Sequence, residues 1–231
     1  MTQAAVNTET VTFTGPQGTL SGYLATPEGG DNLPGVVIIH ENQGLTEHIK
    51  DVCRRMAAEG FAVLAPDALS LQGGTPSDKD EAIAKIKTLN DDDNVANFQA
   101  GVDFLRALPG CNGKVGSVGF CWGGRTSGLL AVNSDDLDAA VIYYGKSPDS
   151  DQVKRIQCPM LMHYGANDDN INATVPDFRA ALEKEGKDFT MHMYDGAGHA
   201  FNNDTRPDRF HAGAAAESWP RTVAFLSKVL S

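Results

Sequence analysis

The stretch Gly119–Gly124, GFCWGG, places a cysteine at the centre of a glycine-flanked turn. It has the form of a nucleophile elbow, in which the residue between the glycines lies on a strained turn joining a strand to a helix. Glycine on both sides removes the Cβ atoms that would prevent the close approach of those two elements. The neighbouring residues agree, since Lys114–Gly119 has the pattern of a short buried strand and Trp122–Val132 that of a helix. The sequence therefore predicts the Cys121 thiol at a sharp strand–turn–helix junction.

Strands and helices alternate on both sides of this junction. Alternation of this kind is typical of an α/β fold with a mostly parallel sheet covered by helices on both faces. Before it, two strands joined by Gly15–Gly18 predict an antiparallel edge hairpin. The predicted strands are Glu9–Phe13, Thr19–Ala25, Gly35–His40, Phe61–Ala65, Lys114–Gly119, Ala139–Tyr144, Met160–Tyr164 and Phe189–Tyr194, and the predicted helices are Ile49–Ala57, Ser77–Leu89, Val95–Leu108, Trp122–Val132, Val175–Glu185 and His211–Leu230.

Three local signals refine the helix boundaries. Ser77 with Asp80 three residues later resembles a capping box and predicts the start of the second helix. The charge run Asp91–Asp93 favours a solvated turn between two helices. Pro220 is expected either to kink the last helix or to mark its true start.

Length and composition favour a single α/β domain over residues 1–231. A net charge of −11 argues against nucleic acid and anionic membranes as partners, because both require a basic surface. The sequence contains no run of about 18 apolar residues, so no membrane span is predicted. Met1–Thr10 lacks the pattern of a secretory signal, so we expect a cytoplasmic protein or a processed exported one. The four cysteines are widely spaced, which makes a disulfide framework unexpected.

Polar and glycine-rich segments follow four of the predicted strands. Because the loops at the carboxyl ends of parallel strands meet at one edge of a sheet, residues far apart in sequence can lie together there. Three of these loops carry a nucleophile, an acid and a base in the chain order Cys121, Asp168, His199, which is the order of α/β-hydrolases. The four segments are Glu41–Gly44 (ENQG), the elbow itself, Ala166–Asp169 (ANDD) and Asp195–Phe201 (DGAGHAF).

Several of these assignments have structural alternatives. Asp169 and Asp195 compete with Asp168, because either could cap a helix or a turn. Glu41 could cap the following helix, although Thr46 is better placed to do so. Cys53 is expected to pack in the core. Two histidines within strands, His163 and His192, are also expected to be structural. The segment His40–Gly44 (HENQG) lacks the second histidine of a zinc signature. No metal or cofactor is therefore predicted.

The chain resembles the dienelactone hydrolase family of α/β-hydrolases over nearly its full length. The resemblance rests on GFCWGG, on HYGAND before the acid, on GAGHAF around the base and on Glu41 after the early strand. It implies a Cys121–His199–Asp168 triad. It also implies that Glu41 interacts with the resting cysteine and helps to activate it when substrate arrives.

The chemistry of a cysteine triad is consistent with this resemblance. A thiol with a pKa near 8.5 is only a few per cent ionised at neutral pH and needs a proton acceptor, which His199 can supply. The developing oxyanion is expected to bind the backbone N–H groups of Trp122 and Asn42. Because a thiolate is also a good leaving group, activated esters and enol lactones are favoured over alkyl esters. The expected partner is therefore a small-molecule ester or lactone, handled by a monomer or small homo-oligomer.

One departure from the family bears on the substrate. Members acting on dienelactones are expected to hold the substrate carboxylate with two arginines, but the matching segments here, Ala68–Gln72 and Asn202–Asn203, contain no basic residue. A general carboxylesterase or thioesterase, or a non-catalytic binding member of the fold, therefore remains an alternative. The remaining candidate anchors are Arg125, Arg206 and Arg209, and Phe120, Trp122, Tyr144 and Phe201 are candidates either for an apolar pocket or for the core.

Overall fold

One sheet of eight strands forms the centre of the computed structural model, which describes residues 5–231. Each predicted strand lies within, or within one residue of, an observed one, and most observed strands are longer at their ends. The strands are β1 Val6–Gly15, β2 Gly18–Pro27, β3 Leu33–Ile39, β4 Ala62–Pro66, β5 Cys111–Phe120, β6 Ala139–Tyr143, β7 Met160–Gly165 and β8 Phe189–Tyr194.

The strand order across the sheet is β1-β2-β4-β3-β5-β6-β7-β8. β1 pairs with β2, and β2 with β4, in antiparallel fashion, while all the remaining neighbours are parallel. This confirms the predicted mostly parallel sheet and the N-terminal edge hairpin. It also confirms the α/β-hydrolase fold class, and it brings the loops that follow β3, β5, β7 and β8 to one edge.

Helices cover both faces of the sheet. On one face, α1 (Glu47–Ala58) and α7 (Ala212–Val229) pack over apolar side chains such as Val36, Ile38 and Val118. On the other, α3 (Asp91–Ala107), α4 (Trp122–Asn133) and α6 (Val175–Lys184) pack over Val37, Ile39 and Ile142. The helices are α1 Glu47–Ala58, α2 Lys79–Ile86, α3 Asp91–Ala107, α4 Trp122–Asn133, α5 Asp169–Asn172, α6 Val175–Lys184 and α7 Ala212–Val229.

Two of the predicted helix starts are wrong. α2 is capped by Asp78, whose side chain accepts from the Glu81 N–H at 2.8 Å, and not by Ser77. The acidic run Asp91–Asp93 is the first turn of α3 and not a turn between helices, because the Asn90 side chain accepts from two of its N–H groups. Three carboxylates in a first turn are favourable because they face the positive end of the helix dipole.

Pro220 lies inside α7, which excludes the alternative that it marks the start of the last helix. The helix begins at Ala212, where the His211 ring accepts from the Ala214 N–H at 3.1 Å. Thr46 caps α1, as expected. Residues 1–4, part of the segment read for a secretory signal, lie outside the described residues. Across residues 5–231, no helix combines the length and apolarity that crossing a bilayer would require.

Candidate active site

The turn after β5 holds Cys121 in a backbone conformation that few non-glycine residues adopt. Its φ is 57° and its ψ −115°. The glycines around it permit close packing, since a Cβ on Gly119 would overlap the Gly123 carbonyl and one on Gly123 would overlap the carbonyls of Ile39 and His40. The start of α4 is therefore pressed against the end of β3. The Cys121 thiol lies where the loop that follows β3 meets the turn that follows β5.

Three side chains from separate loops form a continuous series of contacts at this edge. His199 Nε2 lies 3.0 Å from Cys121 Sγ, and His199 Nδ1 lies 2.6 Å from Asp168 Oδ2. The Asp168 carboxylate is buried, while about a quarter of the His199 side chain, 26%, is exposed. The competing carboxylates Asp169 and Asp195 are both exposed to solvent. The structure thus brings the thiol, the imidazole and the Asp168 carboxylate together.

The surroundings of the sulfur favour a neutral thiol. Burial, and then the negative charge of Glu41, raise the pKa of Cys121 to about 11. The backbone N–H groups of Trp122 and Asn42 lie near the sulfur and oppose this shift. These are the two amides expected to form an oxyanion hole, and both are directed at the space around the nucleophile.

Glu41 is buried beside the thiol and held in one orientation. Asn203 Nδ2 donates to Glu41 Oε2 at 2.7 Å, and Thr205 donates to Asn203 Oδ1 from its N–H at 3.1 Å and its hydroxyl at 2.7 Å. Those two donors fix which end of the Asn203 amide faces Glu41. Burial raises the pKa of Glu41, while Asn203, His199 and Arg206 act in the opposite direction.

Two clefts open onto Cys121 and His199. The larger, of about 420 Å³, is lined mainly by apolar atoms and has basic side chains around it. The smaller, of about 170 Å³, contains the Glu41 carboxylate. The larger is lined by Asn42, Ile86, Lys87, Leu89, Asp91, Trp122, Arg125, Lys146 and Ile171, and the smaller by Glu41, Asn42, Gln43, Lys79, Ile83, Ala200, Arg206 and Arg209.

The candidate substrate-binding residues divide between clefts and core. Arg125 lies on the larger cleft and forms an ion pair with Asp91 at 2.7 Å, and Arg206 lies on the smaller and pairs with Asp208 at 3.0 Å. Three aromatic candidates are instead fully buried. Phe120 stacks on Tyr143 in the core, Tyr144 contacts the His199 ring with centroids 5.3 Å apart, and Phe201 packs against Tyr144 at 5.2 Å.

Sequence reasoning missed other residues of the site. The sequence drew attention to Asn203 only because an arginine was expected there. Nothing in its local sequence indicates a contact with Glu41, 162 positions away. The cleft residues Ile83 and Ile86 belong to α2, which the sequence predicted as a helix with no part in the site. Their place beside Cys121 follows from the path of the chain between β4 and α3.

A mostly parallel sheet with a cysteine at a tight turn after β5, an aspartate after β7 and a histidine after β8 is the arrangement of an α/β-hydrolase. More particularly, the chain belongs to the dienelactone hydrolase family, whose sequence profile matches residues 20–230. As a member of this family, the chain is a hydrolase that acts on ester or lactone bonds.

Individual relatives agree with this assignment. The chain is 32% identical over 256 residues to a protein of Escherichia coli K12 named provisionally as a carboxymethylenebutenolidase, with 95% of this chain and 91% of that protein covered. A crystal structure from Klebsiella pneumoniae, named provisionally as a dienelactone hydrolase, is 30% identical with a TM-score of 0.88 and covers 96% and 99% of the two chains. A promiscuous phosphotriesterase from metagenomic libraries, described as dienelactone hydrolase-like, is 27% identical with a TM-score of 0.87 over 98% and 100% of the chains.

Proposed function

We propose that the chain hydrolyses activated carboxylic esters or enol lactones through a covalent thioester on Cys121. The observation that carries this proposal is the contact series from Asp168 through His199 to Cys121 Sγ, at 2.6 and 3.0 Å. A thiol attacks as its thiolate and therefore needs a proton acceptor within hydrogen-bond reach, which His199 provides. Asp168 fixes the imidazole tautomer and stabilises the imidazolium that forms.

The reaction proceeds in two halves. The Cys121 proton passes to His199 Nε2 as the sulfur attacks the carbonyl carbon, and the oxyanion accepts hydrogen bonds from the N–H groups of Asn42 and Trp122. The carbon–oxygen bond to the leaving group then breaks, and His199 returns the proton to that oxygen. In the second half, water loses a proton to His199, attacks the thioester and releases the acid and the free thiol.

A good leaving group is required because the thiolate is itself readily expelled from the tetrahedral intermediate. An enolate meets this requirement, and its rearrangement to a ketone makes acylation effectively irreversible. Glu41 is proposed to keep the thiol neutral at rest, since its charge raises the pKa of Cys121. When substrate arrives, Glu41 is the alternative to His199 as acceptor of the single thiol proton.

Simple uncharged esters are a second candidate substrate class. The lining of the larger cleft favours them, because Trp122, Ile86 and Leu89 present apolar surface to a group bound at Cys121. The arginines near the site do not act as free anchors for a carboxylate, since Arg125 and Arg206 are paired with aspartates. A general carboxylesterase or thioesterase would use the same triad.

A substrate panel tests the proposal. Aryl esters, enol lactones with and without a carboxylate, a thioester and a phosphotriester are compared by kcat/KM for the wild type, Cys121→Ala and His199→Ala. We expect turnover of at least one activated acyl substrate. We also expect its loss in Cys121→Ala, and a fall of at least about 10²-fold in His199→Ala because general-base assistance is removed.

The control is the fold itself, measured by circular dichroism and thermal unfolding of each variant. Wild-type rates in a folded Cys121→Ala protein would rule out the covalent mechanism. No turnover of any substrate by the wild type, together with no alkylation of Cys121, would instead favour a binding member of the fold.

A further inference from the structure

His40 is a buried histidine directly after β3, and both of its ring nitrogens are occupied. Nδ1 lies 2.7 Å from the Glu41 carbonyl oxygen, and the Ala68 N–H donates to Nε2 at 3.2 Å. Because an amide N–H can only donate, Nε2 must be the acceptor and Nδ1 must carry the proton. His40 is therefore held as one neutral tautomer that donates to the Glu41 carbonyl.

The carbonyl that His40 holds belongs to the same peptide unit as the Asn42 N–H. A peptide is planar and trans, so fixing the direction of its C=O fixes the opposite direction of its N–H. The Gly44 N–H also donates to the Glu41 carbonyl, at 3.2 Å. The Asn42 N–H is the amide that faces Cys121 Sγ. A hydrogen bond to the carbonyl also polarises the peptide and strengthens its N–H as a donor.

The same ring contacts the side chain of the residue that carries the second amide donor. His40 stacks on the Trp122 side chain with centroids 5.3 Å apart and planes 17° apart, and Phe98 meets it edge-on at 6.4 Å. Trp122 is the first residue of α4, and its backbone N–H is the other group directed at the sulfur. One buried side chain thus joins the two segments that carry the amide donors.

We propose that His40 is a positioning residue that sets the geometry of the oxyanion hole. Its Nδ1–H orients the Glu41–Asn42 peptide so that the Asn42 N–H points at the reacting carbonyl oxygen. The ring holds Trp122 against this loop. This inference rests on the proposed function, because it assumes that an acyl group reacts at Cys121.

Three substitutions of His40 separate its two hydrogen bonds. His40→Asn keeps a donor near the position of Nδ1, and His40→Gln keeps an acceptor near the position of Nε2. His40→Phe keeps the ring but neither bond. We expect His40→Phe and His40→Gln to lower kcat on an activated ester with little change in KM, by at least about tenfold and at most the 10²–10³-fold cost of losing one oxyanion donor. His40→Asn should restore most of the lost rate.

A second measurement isolates the oxyanion hole from the nucleophile. Alkylation of Cys121 by iodoacetamide is a displacement at a saturated carbon and forms no oxyanion, whereas acylation forms one. The proposal requires acylation to fall far more than alkylation in His40→Phe and His40→Gln, with both rates followed on the Cys121 peptide by mass spectrometry. Equal losses in the two reactions, or unchanged acylation in both variants, would overturn it.

The outcome is distinguishable from failure of the proposed function. If Cys121→Ala keeps wild-type ester turnover, the covalent mechanism itself fails whatever the His40 variants do. If Cys121→Ala is inactive and His40→Gln is fully active, only the positioning role fails. Should His40→Phe not fold, the comparison of His40→Asn with His40→Gln still decides, because both are polar and each preserves a different hydrogen bond.

Discussion

Cys121 is largely buried, and the negative charges of Glu41 and, more weakly, Asp168 both favour the protonated sulfur. Burial is the largest cause of its raised pKa, followed by the Glu41 charge. The same burial raises the pKa of Glu41. A neutral thiol is a poor nucleophile and reacts slowly with oxidants, so under the proposed function the resting thiol is protected until an acyl group arrives.

Glu41→Gln tests this restraint on the thiol. Removing the negative charge lowers the pKa of Cys121, so we expect alkylation of the substrate-free enzyme by iodoacetamide at pH 8 to become faster. The rate is read on the Cys121 peptide by mass spectrometry, because Cys111 is also partly accessible. The pH profile of alkylation should move to lower pH.

The control for this experiment is Asp204→Asn. It removes an exposed carboxylate on the loop beyond Asn203 and should leave the alkylation rate unchanged. Slower alkylation in Glu41→Gln would show the opposite of our expectation, namely that Glu41 already accepts the thiol proton in the resting enzyme.

At the scale of elements, the site depends on the contact between the start of α4 and the end of β3. Gly123 has no room for a Cβ because the Ile39 and His40 carbonyls occupy that space. The elbow therefore exists only if helix and strand approach to backbone contact. This contact also brings Trp122 onto the His40 ring.

Gly123→Ala should destabilise the protein and disrupt the site. The added methyl forces the start of α4 away from β3, and overpacking of this kind costs about 1–3 kcal/mol in free energy of unfolding. Chemical denaturation measures this cost, and ester turnover should fall further than stability alone explains.

Gly213→Ala is the matched control, since Gly213, like Gly123, is the second residue of its helix. Its Cβ would meet nothing closer than 3.5 Å, at the His211 ring. Alanine is the better helix former, so stability should be unchanged or rise by up to about 1 kcal/mol. Equal destabilisation by the two substitutions would contradict the steric argument.

At the scale of the whole molecule, two histidines apart from His199, namely His163 and His40, are fully buried. His163 bridges β7 to α7, with Nδ1 2.8 Å from the Tyr194 hydroxyl and Nε2 3.0 Å from Thr222 Oγ1. Burial lowers the pKa of His163 well below its ordinary value of 6.5 and lowers that of His40 as well. The folded chain therefore resists protonation at these positions.

This resistance predicts that stability falls in mild acid. Below pH 6.5 and above the lowered pKa values, the unfolded chain binds more protons than the folded chain. Stability is therefore lost as the pH falls, by up to about 1.4 kcal/mol per pH unit for each such histidine. Urea denaturation at pH 7.5 and pH 5.5 measures the slope, and His163→Gln should make it shallower. An unchanged slope in His163→Gln would show that other groups dominate.

Most of the fold was predictable from sequence because its signals are local. The apolar runs of β3 and β5 and the helical spacing in α1 each specify an element within a few residues. Helix starts were less predictable. Asp78 caps α2, where the sequence favoured Ser77, and Asn90 caps α3, where Asp91–Asp93 indicated a turn. A capping side chain acts through the geometry of one turn, which sequence spacing indicates only to within a few residues.

The residues of the site likewise divide into those that the sequence could predict and those that it could not. Cys121, Asp168 and His199 could be brought together from sequence because parallel strands place their following loops at one edge. Asn203 and His40 could not be given their contacts, because each acts through a hydrogen bond whose partner depends on loop conformation. Phe120 and Phe201 face inward for the same reason, as the turns beside them determine which side chains reach the clefts.

The segment between β4 and α3 contributes to both clefts and to none of the proposed bond-making steps. Ile83, Ile86, Lys87 and Leu89 border the reacting centre, while the thiol, imidazole and carboxylate come from loops after other strands. Substitutions in this segment can therefore reshape the clefts while leaving the side chains of the proposed reaction in place. Exchanging it is a direct way to alter which esters the protein accepts.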